Sequence, residues 1–224
     1  KKTVIQAVTT SLFEKIHNVE SCPNECVTML NYQYRMHPDI GNFISEAFYD
    51  GKVFMGENTI TQQLPLPSPY AKQILFIDTY KGFMKTGGYG AYERTVANSF
   101  CNELECDIIC NQILPVISQH VDLKKYSVGV ITPYSGQRDL LRHNIKDVNL
   151  RRCVYTIDSI QGREFDVVIF SFVRAFNPLS GRKVGFLDDM RRLNVSLSRA
   201  KKKLILVGNK RALTSPDSHA DDAI

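Results

Sequence analysis

No stretch of this sequence is apolar for long enough to cross a bilayer, and none has the order of charged, apolar and small residues that marks a secretory signal. Neither a membrane span nor export is expected. Low-complexity tracts and internal repeats are absent as well, which removes fibrous and solenoid architectures. The 6 cysteines are scattered through a long chain, unlike the disulfide scaffold of a small secreted domain, so a reducing intracellular compartment, cytoplasmic or nuclear, is expected. Cys22/Cys26 and Cys106/Cys110 are each four apart without C-x-x-C spacing, and Cys101, Cys106 and Cys110 read as one apolar helical stripe, so no metal site is inferred. There is no G-x-x-x-x-G-K-[ST] phosphate loop; the glycine-rich run from Lys81 to Ala91 has another pattern and reads as a flexible loop.

What is present is a chain of 224 residues that is 43% hydrophobic, enough to build the core of one large domain or two small ones. A formal net charge of +5 suits a polyanionic partner, but a surplus this modest is common in proteins that bind none. The sequence starts Lys1-Lys2, which reads as a soluble piece of a longer protein, expected to be monomeric.

Along the chain, Ser11 to Ile16 reads as a short helix and is followed by a Pro/Asn/Cys linker. Pro38 and Asp39 suit the start of a helix running through Phe48, which would place Tyr34, Arg35 and His37 just ahead of it. His37 has no nucleophile or metal cluster beside it, so a structural hydrogen bond at that helix start is expected. Pro65, Pro67 and Pro69 mark an irregular connection. Strands are expected at Ile74–Thr79, Val128–Thr132, Arg152–Ile157, Val167–Phe170 and Leu204–Val207, with helices over Cys101–His120 (broken at Pro115), Arg138–Ile145 and Met190–Ser198. The unbroken β-branched run Val167–Phe170 reads as a strand buried on both faces, the mark of a parallel sheet. Alternating strands and helices imply βαβ units with ligands at the carboxyl ends of the strands. The polar clusters after Thr132, after Ile157 and ahead of Leu204 are expected to gather on one rim, with Arg192 and Arg199 turned out of the core. Lys201-Lys-Lys203 reads as a solvated turn, and the polar tail after Thr214 as flexible.

Four segments then become specific in combination: Gln33-Tyr-Arg-Met-His-Pro38, Val130-Ile-Thr-Pro-Tyr-Ser-Gly-Gln137, Asp158-Ser-Ile-Gln-Gly-Arg-Glu164 and Gly185-Phe-Leu-Asp-Asp-Met-Arg-Arg-Leu-Asn-Val-Ser-Leu-Ser-Arg-Ala200. In that order they resemble the second RecA-like domain of superfamily 1 helicases of the Upf1-like group. The resemblance implies an α/β, RecA-like (P-loop NTPase-type) three-layer fold with a mainly parallel central sheet and helices on both faces. It also implies a division into residues 1–25 as a remnant of, or linker from, a first RecA-like domain, residues 26–214 as the second, and residues 215–224 as a tail.

The resemblance implies roles as well. In such helicases two RecA-like domains clamp ATP, and Arg35 and Arg199 match the arginines that reach the γ-phosphate, a sound use of a guanidinium fork against charge spread over phosphoryl oxygens. Tyr34 matches the residue that stacks on the base, Gly162 one that lets the backbone approach the nucleotide, and Glu164 one that accepts from the ribose hydroxyls; Gln161 either orients groups at the cleft or caps the turn. Thr132, Pro133, Tyr134, Thr156, Asp158 and Ser159 match segments lining a single-strand channel, where hydroxyls and backbone N–H groups hold phosphates without reading bases. Asp158, being anionic, would contact a sugar hydroxyl or brace the loop. The cofactor is then ATP with Mg²⁺, whose ligands belong to the first domain, and the partners are that domain and a single strand of DNA or RNA.

Without a phosphate loop or a Walker B acidic pair, this chain alone is expected neither to hydrolyse ATP nor to unwind a duplex. Two alternatives stay open at this point: a non-motor nucleic-acid or protein-interaction module on a RecA-like fold, and a helicase fused to a nuclease.

Overall fold

The computed structural model describes residues 28–57, 59, 63–80, 92–175 and 189–214. The chain divides into two units, Lys1–Tyr32 and Gln33–Ile224; of the first only residues 28–32 are described, and the architecture below is that of the second. The expected remnant over residues 1–25 with Cys22 and Cys26, the glycine-rich loop and the tail lie outside the described residues.

In chain order the elements are α1 (Pro38–Tyr49), β1 (Ile74–Asp78), β2 (Glu93–Val96), β3 (Ser99–Asn102), α2 (Glu103–Ile108), α3 (Leu114–His120) and β4 (Val128–Thr132). There follow α4 (Ser135–Asn144), α5 (Val148–Arg151), β5 (Val154–Thr156), β6 (Phe165–Ser171), α6 (Met190–Leu197), β7 (Ala200–Gly208) and α7 (Lys210–Thr214). A five-stranded sheet has the order β1-β7-β6-β4-β5, every neighbouring pair parallel, while β2 and β3 form a separate antiparallel hairpin.

Strand periodicity explains the layers. Val128, Val130, Val167, Ile169 and Ile205 point to one face, against Ile109, Ile113, Ile117 and Leu141 of the α2–α4 stretch. Ile131, Val168, Phe170, Leu204 and Leu206 point to the other, against Ile40 and Ile44 of α1 and Leu197 of α6. β6 is buried along its whole length, as its unbroken apolar run requires, and each such aliphatic side chain contributes about 1.5–3 kcal/mol of burial. This is the expected three-layer RecA-like fold.

Several expectations need correction. Cys101 lies in β3, not on a helical stripe, because the chain first closes the hairpin and Asn102 then caps α2 by accepting from the Glu105 N–H. Pro115 does not break the helix there: a π-helical turn, Ile109–Ile113, precedes α3, and the Leu114 N–H reaches back to the Ile109 carbonyl. Proline cannot donate to the carbonyl four residues earlier, and a widened turn absorbs the lost bond. α4 begins at Ser135 rather than Arg138, and β5 spans only Val154–Thr156, its last expected residue passing into a 3₁₀ turn, Ile157–Ser159.

Lys201-Lys-Lys203 is no solvated turn but part of β7, with Lys202 9% and Lys203 2% exposed. Parallel pairing with β6 shifts register between Ala200 and Lys203, so Lys201 and Lys202 sit in a bulge and pairing resumes at Lys203. Its aliphatic stems pack inward while the ammonium groups find partners: Lys203 Nζ donates to the Lys72 carbonyl, Lys202 lies 5.7 Å from the Tyr126 ring centre, and Lys201 lies 3.7 Å from Glu164 and 3.6 Å from Asp166.

Nor do the polar clusters share one rim. Thr132 and Thr156 pair with one another at the carboxyl ends of β4 and β5, whereas Gln161–Glu164 and Arg199 immediately precede the amino ends of β6 and β7. The connection over residues 157–164 holds a 3₁₀ turn and no α-helix, and it runs back along the sheet with Ile157 and Ile160 buried in the core.

Candidate functional site

Gln33 builds the loop that carries Tyr34 and Arg35. Its side-chain oxygen accepts from the backbone N–H groups of Arg35 (3.0 Å) and Met36 (2.8 Å), and its Nε2 donates to the Met36 carbonyl at 3.0 Å. Gly41 leaves room for that amide, since a Cβ there would lie 2.7 Å from Gln33 Nε2. His37 then caps α1, its Nδ1 accepting from the Asp39 N–H at 3.2 Å, which is the structural job expected of it. The His37 N–H donates to the Lys201 carbonyl at 2.7 Å and ties the loop to β7.

The tie brings three distant segments together. Arg35 Nε donates to Glu164 Oε2 at 2.8 Å, and Arg35 Nη1 reaches the Ser198 carbonyl at 3.5 Å. Arg199 Nε donates to the Val195 carbonyl at 2.8 Å and its Nη1 to the Arg163 carbonyl at 3.2 Å. Partial burial first, and the neighbouring Arg35 charge second, hold Arg199 below the ordinary guanidinium value, with Glu164 opposing them. With Lys201 3.7 Å from Glu164, three cations thus gather about one carboxylate, and an added anion would relieve their repulsion.

Between these segments the Ile160 carbonyl accepts from the Arg163 N–H at 2.9 Å, closing a turn with Gly162 at its third position and φ +80°. A type II turn needs φ > 0 there, so glycine has a local reason to be present. A Cβ on Gly162 would meet nothing within 4 Å, so the surface beside it is open. Gln161, Gly162 and Glu164 are all exposed. So is Tyr34, at 60%; a Cβ on Gly56 would lie 2.0 Å from its ring, so that glycine makes the seat on which the aromatic rests.

Asp158 and Ser159 are exposed on the 3₁₀ turn. Asp158 braces it by an ion pair with Arg192 of α6, and Ser159 Oγ donates to the Thr156 carbonyl at 2.8 Å. Asp158, Gln161 and Arg199 border one cleft of about 370 Å³ between this turn and α6. The segment after β4 leaves the sheet beside Thr156, at the carboxyl ends of the strands and away from Glu164 and Arg199. Thr132 is fully buried and offers no surface of its own, while Pro133 and Tyr134 are half-buried and the Tyr134 ring meets Phe100 edge-on at 5.3 Å.

Sequence reasoning missed a polar cluster at the ends of β4 and β6, the point where strand order reverses and α/β sheets usually form a ligand crevice. Here the protein's own side chains fill it. Gln137 Oε1 accepts from the Asn102 N–H at 2.7 Å, and its Nε2 donates to Ser171 Oγ at 3.1 Å. Ser171 Oγ donates to Glu105 at 2.6 Å, and the Glu105 oxygens accept from the Val173 N–H at 2.9 and 3.0 Å. Asn102 Nδ2 donates to the Val173 carbonyl at 3.0 Å. Val173 is held at φ +71°, a strained geometry for a β-branched residue. Burial, the largest influence, pushes the Glu105 carboxyl up to about 8; the hydrogen bonds from Ser171 and Val173 oppose it and Glu93 adds to it. The available signal was the polar spacing Asn102-x-x-Glu105, a helix cap with an acid in its first turn.

The described residues hold no group of three or more His, Cys, Asp or Glu able to bind a metal, and no helix long and apolar enough to cross a membrane. Cys106 and Cys110 lie with their sulfurs 3.9 Å apart.

Residues 8–211 match the family model described as "AAA domain". Helicase sen1 of Schizosaccharomyces pombe is 33% identical over 100% of this chain and 13% of its own length. Regulator of nonsense transcripts 1 of Dictyostelium discoideum is 34% identical over 96% of the chain and 16% of its length, and ATP-dependent helicase NAM7 of Saccharomyces cerevisiae is 36% identical over 91% and 20%. The chain therefore spans about a fifth or less of these relatives. With a five-stranded parallel sheet between two helical layers, the four motifs in order and this match over most of its residues, the chain belongs to the AAA-domain family, as a RecA-like domain of the Upf1-like superfamily 1 helicase group.

Proposed function

We propose that this chain is the second motor domain of an ATP-dependent helicase or translocase, acting on a single strand of DNA or RNA with a first RecA-like domain of the same protein. The observation that carries this reading is the convergence of Arg35, Glu164 and Arg199 from three segments far apart in the sequence. Two guanidinium groups beside an open turn, with an exposed aromatic ring on the Arg35 loop, suit a nucleoside triphosphate. The nucleotide, bound with Mg²⁺ on the first domain, supplies the phosphoryl-transfer chemistry.

In this reading Arg35 and Arg199 bind the γ-phosphate oxygens and stabilise the charge that develops on them, Tyr34 stacks on the base, and Glu164 turns from Arg35 to the ribose hydroxyls. Gly162 permits close approach of the backbone, and Gln161 orients groups at the cleft. Thr156, Asp158 and Ser159 face the strand on one side, with Pro133 and Tyr134 continuing its path and the buried Thr132 supporting them. The chain by itself turns over no ATP, since it has no phosphate loop.

The test is made on the full-length protein. Arg199→Ala abolishes strand-stimulated ATP turnover while single-strand binding is kept; unchanged turnover would remove Arg199 from this role. Steady turnover by the purified 224-residue chain would overturn its dependence on a first domain.

A further inference from the structure

The cleft between the Ile157–Ser159 turn and α6 carries more positive charge than the roles above use. Arg191, Arg192 and Arg199 border it, with Asp158 as its carboxylate and Ile157 and Val195 as apolar wall. Local structure explains the clustering. Asp189 caps α6, its Oδ1 accepting from the backbone N–H groups of Arg191 (3.1 Å) and Arg192 (3.2 Å), which sets both arginines in the first turn. Arg199 follows the last turn of the same helix, so one short helix delivers cations at both ends of the cleft.

Arg192 is not idle there, because Asp158 accepts from its guanidinium. The two side chains are 41% and 71% exposed, however. Exposed pairs of this kind are worth about 0–1 kcal/mol and exchange readily. A phosphate offers a guanidinium fork two oxygens and more charge than one carboxylate oxygen does, so it competes well for the same group.

Resting on the motor-domain reading, we propose that this cleft is a phosphate-binding site with Arg191 and Arg192 as ligands beside Arg199, and that Asp158 holds Arg192 until a phosphate replaces it. The phosphate has two available sources, the backbone of the single strand and the nucleotide.

The full-length protein distinguishes them in two titrations: binding of a fluorescent oligothymidylate across a range of salt, and the KM for ATP at saturating strand. If the strand supplies the phosphate, Arg192→Ala weakens oligonucleotide binding and reduces the slope of log affinity against log salt by about one, leaving KM unchanged. If the nucleotide supplies it, KM rises severalfold and the salt slope stays as it was. In either case Arg192→Lys, which keeps the charge without the fork, restores only part of the loss, and Asp158→Asn strengthens the interaction that Arg192→Ala weakens.

A structural strut behaves otherwise: Asp158→Asn and Arg192→Ala would then weaken the same titration together, and the proposal falls. It falls equally if Arg191→Ala and Arg192→Ala move neither titration in a protein that binds strand and turns over ATP, an outcome that leaves the motor reading standing. A full-length protein that does neither sinks both.

Discussion

Arg35 Nε and Glu164 Oε2 meet at 2.8 Å across 129 residues of sequence. Their side chains remain 40% and 46% exposed, so the pair adds at most about 1 kcal/mol to the fold. Its importance is geometric, since it holds the Arg35 loop over the turn that Gly162 shapes.

Arg35→Lys keeps the charge and removes the fork. Urea unfolding of the variant should differ from the parent by under about 1 kcal/mol. Turnover by the full-length protein should fall at least about tenfold, because an ammonium cannot present two coplanar N–H donors to the phosphoryl oxygens. Stopped-time phosphate release checks it, and near-parental turnover in Arg35→Lys would show that charge alone suffices.

Gly56→Ala tests the seat of Tyr34. The added Cβ would lie 2.0 Å from the ring, so the aromatic must leave its position. A base–aromatic stack is worth about 1–3 kcal/mol, and the KM for ATP should rise roughly five- to a hundredfold with kcat much less affected. Tyr34→Ala should reproduce that KM and Tyr34→Phe should not.

Glu105→Gln tests the buried cluster through pH. Folding raises the Glu105 pKa from 4.5 to about 8. The native state therefore binds more protons than the unfolded chain between these values, and stability is full below about pH 4.5, declines as pH rises and levels off above about pH 8. At 1.36 kcal/mol per unit the loss amounts to a few kcal/mol. Urea midpoints across pH 5 to 9 should show this decline in the parent and not in Glu105→Gln. A parent profile as flat as the variant's would mean that the hydrogen bonds to Ser171 and Val173 outweigh burial.

Ala97→Gly is expected to stabilise. Ala97 has φ +52° at the exposed tip of the β2–β3 hairpin, where a Cβ costs about 1 kcal/mol and glycine none. The urea midpoint should rise by an amount corresponding to about 1 kcal/mol, less the extra freedom glycine gives the unfolded chain.

Much of this was legible in the sequence, for identifiable reasons. Val167–Phe170 announced a strand buried on both faces because no polar residue interrupts it, and Val128–Thr132 was bounded by a proline at one end and a polar loop at the other. The Pro38 helix start and the cap by His37 are local events, readable within a few residues. The Asn102–Gln137–Ser171–Glu105 cluster was not readable, since its bonds join residues 35 and 66 apart and only the strand order makes them neighbours. Lys201–Lys203 deceived for a related reason: a triple lysine looks solvated until tertiary structure supplies the Lys72 carbonyl, the Tyr126 ring and the Glu164 and Asp166 carboxylates. The proposed site residues were visible only through their motif context, because a lone arginine has no sequence signature of a role.

The run from Ile157 to Glu164 has a mechanical consequence. Thr156 is level with Thr132, at the height where β6 ends, and the next strand residue, Phe165, is back at the start of β6. At about 3.3–3.6 Å per residue, the nine steps from Thr156 to Phe165 reach at most about 32 Å, against about 20 Å for the length of β6. The 3₁₀ turn at Ile157–Ser159 and the turn at Gly162 take up the excess length, and with Ile157 and Ile160 anchored in the core these two turns are the only parts of the run that can let out or reel in chain between Asp158 and Glu164.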